Sequence, residues 1–112
     1  MKTTKKNFES FKKEFNKYVG LFGLKDWDIT FLHTKIDGAY ADILVKADSS
    51  VATVSFNSNL CSNACKKDAK SSGKHEAIHL LLARLQCLTS IKNDYRANVE
   101  SERIVRILEK VL

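Results

Sequence analysis

Residues Lys74–Leu88, KHEAIHLLLARLQCL, decide how this chain is read. The stretch holds no helix breaker. Its apolar residues (Ile78, Leu80, Leu81, Leu82, Ala83, Leu85 and Leu88) run almost all the way round a helical wheel. A helix that is apolar on every side is buried, so other elements must cover it. Yet its first turns carry His75, Glu76 and His79. Imidazoles and a carboxylate are costly to bury without partners. The segment therefore predicts both a central helix and a polar site on it.

The covering elements lie on either side. From Asn7 to Val19, Phe8, Phe11, Phe15 and Tyr18/Val19 share one helical face, with Lys12, Lys13 and Lys17 elsewhere. Gly20 and Gly23 can end that helix. Three β-rich runs follow: Trp27–Thr34, Ala39–Lys46 and Val51–Asn57. Turn residues Asp37-Gly38 and Asp48-Ser49-Ser50 separate them, which predicts an antiparallel meander. The polar stretch from Asn57 to Gly73 reads as a loop in which Asp68 or a nearby serine can cap a helix. After a turn at Thr89–Asp94, a last helix runs from Tyr95 to Leu112. Ile104, Ile107, Leu108 and Val111 mark its expected buried side.

The order helix, three strands, helix, helix predicts an α+β fold with helices on one face of a three-stranded antiparallel sheet. Without prolines or a Gly/Ser-rich linker there is no internal boundary, so residues 1–112 read as a single domain.

Composition narrows the function classes. No apolar run is long enough to span a bilayer, and the charged start, Met1 to Lys6, is followed by no apolar signal segment. The expected location is cytoplasmic, with no membrane partner. Three cysteines, Cys61, Cys65 and Cys87, are an odd count and argue against a disulfide framework. Cys61 and Cys65 could ligate a metal, but no second pair stands at zinc-finger spacing. The net charge of +6 allows salt-sensitive attraction to nucleic acid. The lysines are dispersed, however, and not interleaved with aromatics, which reads as a solvated surface.

The chemistry lies in His75-Glu76-Ala77-Ile78-His79. Two histidines four apart project from nearly the same helical face, so their imidazoles can take two corners of a zinc tetrahedron. Glu76, rotated about 100° from His75, can act on a water without binding the metal and serve as general base. The alternative is an exposed His75-Glu76 pair with His79 as a hydrogen-bonded core residue. A third ligand must come from elsewhere. His33, in the first strand, reads as a surface or sheet-packing residue. That leaves Glu100 and Glu102 in the last helix. Facing on the helical wheel favours Glu100. Counting along an antiparallel helix hairpin points slightly beyond Glu102. The facing argument makes Glu100 the expected ligand.

His75-Glu76-x-x-His79 followed by a helical glutamate resembles the gluzincin branch of the zincin metallopeptidases. The layout is also similar to small phage and bacterial zincin-like proteins, with Trp27-Asp28-Ile29 opening a strand before a short meander. Val99-Glu100 stands where the family pattern has Asn-Glu. The resemblance implies a zincin-like fold, a Zn2+ cofactor and hydrolysis of a peptide or protein substrate. It implies that Val51–Asn57 is the edge strand against which an extended substrate pairs. Tyr95 is a candidate donor to a developing oxyanion. Two other functions compete. One is a catalytically inactive zinc-binding interaction domain. The other is a DNA-associated protease of the SprT type, against which the lack of a basic tail speaks.

Overall fold

Helix α1 spans Lys5–Leu21, and its two ends follow local chemistry. Thr4 and Asn7 form a capping box. At the other end Gly23 adopts φ 71°. There Leu24 N–H reaches the Val19 carbonyl and Gly23 N–H reaches that of Gly20. These two bonds are those of a Schellman cap, in which glycine takes the left-handed position. The aromatic face expected from the sequence is the buried face: Phe11, Phe15, Tyr18 and Val19. The computed structural model describes residues 2–59, 68–88 and 95–112, with side chains in the last two stretches described for 68–83 and 99–112.

Strands β1 (Asp28–Thr34), β2 (Ala41–Lys46) and β3 (Val51–Asn57) lie close to their expected bounds, but the sheet is mixed, not antiparallel. Its order is β1-β3-β2. β3 runs parallel to β1, with Phe31 opposite Val54, and antiparallel to β2, with Ile43 opposite Val54. Residues 47–50 make the expected hairpin between β2 and β3. The Asp37-Gly38 turn makes none. Residues 35–40, with Gly38 at φ 78°, carry the chain past a gap one strand wide, and β3 fills that gap. The burial patterns give the reason. β1 and β2 alternate between half-buried and exposed positions, as edges do, whereas Ala52, Val54 and Phe56 of β3 are fully buried. The best-covered strand is central, where both of its hydrogen-bonding edges are used. β3 is thus not the edge expected from the sequence; β1 and β2 are.

The α1 aromatics pack onto this sheet. Phe11 lies 4.9 Å from the Phe56 ring, and Phe15 meets Phe31 edge-on at 5.4 Å. His33 does pack within the sheet, stacked on Phe8 at 4.8 Å and bonded through Nε2 to the Thr3 hydroxyl at 2.7 Å. The Asn57 side chain is buried at the end of β3. Its Nδ2 donates to the carbonyls of Ile36 (2.8 Å) and Ala39 (2.7 Å), and its Oδ1 accepts from Ile36 N–H (3.1 Å) and Asn59 N–H (3.0 Å). One amide therefore holds the loop that leads into β2.

Helix α2 spans Ala69–Leu88, beginning beside Asp68, the expected cap, and running through the strongly helical stretch from Lys74. Asp68 caps it, accepting from Ser71 N–H at 2.7 Å. Gly73, expected in the loop, lies inside the helix. A Cβ there would stand 2.6 Å from the Phe11 carbonyl oxygen and 3.0 Å from Phe15 N, so α2 rests directly on the α1 backbone. Ala77, Ile78, Leu80 and Ala83 are buried, as the apolar wheel predicts, but Leu81 is exposed.

Helix α3 spans Tyr95–Val111 and is rotated from its expected setting. Ile104, Ile107 and Val111 are exposed, while Ser101 and Val105 are buried. Among the described residues, no helix is long and apolar enough to cross a membrane. Cys61 and Cys65 lie outside the described residues.

Candidate metal centre

The capped start of α2 and its seat on α1 fix where the next turn points. Ligand atoms of His75, Glu76 and His79 lie within 4.8 Å of one another, a group that could hold a metal ion. Nε2 of His75 and Nε2 of His79 are 3.1 Å apart. Burial pushes the His79 imidazole below its usual pKa, against the pull of the nearby Glu102 carboxylate. The ring thus favours its neutral form, the one that ligates metals. Glu76 is buried beside the two rings.

α3 brings a further carboxylate to the two rings, that of Glu102. Its Oε1 lies 2.9 Å from His79 Nε2 and its Oε2 lies 3.8 Å from His75 Nε2. Glu100, the expected ligand, is turned outward and pairs with Arg103 Nη1 at 3.2 Å. The rotation of α3 is the cause. The facing argument assumed that Ile104 and Ile107 point at the core. With Val105 inward instead, Glu102, three residues earlier, shares its side of the helix.

The donor set can be tested against a tetrahedral ion. Ligands about 2.0–2.1 Å from a zinc ion at tetrahedral angles stand about 3.3 Å from each other. The two rings stand 3.1 Å apart, and the Glu102 carboxylate approaches them at 2.9 Å through Oε1 and at 3.8 Å through Oε2, so the separations scatter about that value. Two imidazole nitrogens and one carboxylate are also the donor types that zinc takes. The residues fit the ion.

The centre opens into a cavity of about 700 Å³ between β2 and the two C-terminal helices. Sequence reasoning missed several groups on its wall. Tyr40 and Asp42 come from β2 and its lead-in loop, Arg106 from α3, and Ser72 from the first turn of α2. Ser72 Oγ is buried and has no hydrogen-bond partner among the described residues. Its spacing of four residues from Glu76 was the available signal. Nothing in the local sequence marks Tyr40 or Arg106, because the sheet order brings β2 to the helices and the setting of α3 turns Arg106 to the cavity. The Tyr95 side chain lies outside the described residues. Comparison with known proteins finds no matching family model, no matching curated protein and no matching solved structure.

Proposed function

We infer that the chain is a zinc-dependent peptidase in which His75, His79 and Glu102 hold the metal and Glu76 is the general base. The observation that supports this most is the convergence of two imidazole Nε2 atoms, 3.1 Å apart, with the Glu102 carboxylate, which meets one ring through Oε1 and the other through Oε2. The chemistry that a zinc ion would supply, if held there, is that of a Lewis acid: polarisation of a carbonyl and acidification of water. The chain's own groups supply the rest. The Glu76 carboxylate takes a proton from the attacking water as the C–O bond forms. It returns that proton to the amine nitrogen as the C–N bond breaks. Tyr40 and Arg106, on the cavity wall, are the groups able to donate to a developing oxyanion. β2 is an edge strand beside the cavity, unpaired on its outer side among the described residues. An extended peptide laid along it gains main-chain hydrogen bonds with little demand on its sequence.

Elemental analysis of the purified chain beside a His75→Ala/His79→Ala variant tests the metal. One zinc per wild-type chain and none in the variant is the expected result; equal content in both overturns the reading. Cleavage of an unbiased peptide library tests the chemistry. Glu76→Gln is expected to keep the zinc and to lower cleavage at least ~100-fold. A wild type that binds zinc yet cleaves nothing is a metal-dependent binding domain and not an enzyme.

A further inference from the structure

His75 has two ring nitrogens, and they meet different carboxylates. Nε2 faces His79 and Glu102. Nδ1 lies 2.6 Å from Oε1 of Glu109, which is largely covered. Glu109 follows Glu102 by seven residues, about two helical turns, so one face of α3 presents both carboxylates. The same turn of α3 is held a second time: Lys74 Nζ donates to the Glu109 carbonyl at 2.5 Å.

A carboxylate oxygen 2.6 Å from an imidazole nitrogen needs a proton between them, since two lone pairs at that distance repel. A neutral imidazole carries one N–H. If Glu109 takes it at Nδ1, Nε2 is left with its lone pair toward His79 and Glu102. A ligating histidine held in this way, with its second nitrogen donating to a carboxylate, keeps its tautomer and ring orientation.

We propose that Glu109 is a positioning residue for the metal centre. It accepts the Nδ1 proton of His75, leaves Nε2 free to ligate, and with Lys74 sets the register of α3 on α2 that brings Glu102 to the histidines. It is not itself a ligand, because it meets the nitrogen that points away from His79. The inference rests on the metal reading above but not on catalysis.

Two measurements on the full chain test it. Long-range proton–nitrogen NMR of the metal-free protein reads the His75 tautomer. Wild type is expected to carry its proton at Nδ1, and Glu109→Gln, which keeps the shape but loses the charge, is expected to show mixed tautomers. Competition with a chromophoric chelator reads zinc affinity. Glu109→Gln is expected to bind about 10- to 100-fold more weakly than wild type, and Glu102→Gln more weakly still. A thermal melt confirms that each variant is folded. A Glu109→Gln protein with the wild-type tautomer and affinity within twofold overturns the proposal. So does a Glu109→Ala protein that loses zinc as completely as Glu102→Ala, which makes Glu109 a ligand. Failure of the metal reading looks different: wild type and every variant then bind no zinc alike.

Discussion

The two sides of α2 are built from different materials. Toward α1 and the sheet, the contacts are aromatic and aliphatic, and Phe11, Phe15, Val54 and Phe56 are completely buried. Toward α3, the described contacts run through Lys74, His75, His79, Glu102 and Glu109, while Ile104, Ile107 and Val111 of α3 face outward. One side is held by apolar burial alone, which is indifferent to pH and metal. The other adds to the buried Val105 a set of charges and hydrogen bonds, whose strength depends on both. The difference separates two jobs: the first side makes the platform, and the second carries the group that could hold a metal ion.

The largest effect is expected on the apolar side. Phe15→Ala removes a fully buried ring from the α1–sheet seam and should cost about 3–5 kcal/mol in chemical denaturation. A loss below about 1 kcal/mol would mean that this seam is not the platform. Gly73→Ala probes the joint between the two sides. Helix propensity favours alanine by about 1 kcal/mol. Overpacking against the Phe11 carbonyl, 2.6 Å from the new Cβ, costs about 1–3 kcal/mol. Backbone cannot step aside as a flexible side chain does, so a net loss of about 1–2 kcal/mol is expected. Zinc affinity should fall with it, because His75 lies only two residues on. A stabilised Gly73→Ala protein would show that α2 can slide on α1.

The smallest effect belongs to the polar side. The folded-state pKa of His79 is lowered, chiefly by burial. The unfolded chain therefore binds that proton more readily than the folded one. The resulting contribution to stability is fully present above the unfolded value, near 6.5, and is lost as pH falls through the lower folded value. Metal-free wild type should thus lose stability on acidification below about pH 6.5, and His79→Ala should lose less over the same window. Parallel curves for the two proteins would remove His79 from the balance.

Much of this architecture was legible in the residues. The aromatic period of α1, the three strand runs and the apolar wheel of α2 are local patterns, and each element formed close to its expected bounds. The order of the strands is not local. Alternation says which side chains turn inward but not which neighbour a strand takes, and Asp37-Gly38 looked like a hairpin turn though it bridges a gap. The setting of α3 was misread for a related reason. Its apolar residues suggested one face, but the structure turns another, carrying Val105, Glu102 and Glu109, toward α2. His75, Glu76 and His79 could be found because they lie within one helical turn. Counting along the helix hairpin did point toward Glu102, but the apolar face outweighed it, and Glu109 had no such signal.

Asn57 carries a consequence for handling the protein. Its amide donates to two carbonyls, and the N–H of the next residue, Ser58, is engaged by the Thr34 carbonyl at 2.9 Å. Deamidation begins when that following nitrogen attacks the asparagine side chain, so the folded chain restrains the attack and the denatured chain does not. An aspartate at this position could no longer donate to Ile36 and Ala39. Long storage in denaturant is therefore expected to leave a fraction of molecules, one mass unit heavier, that refold poorly.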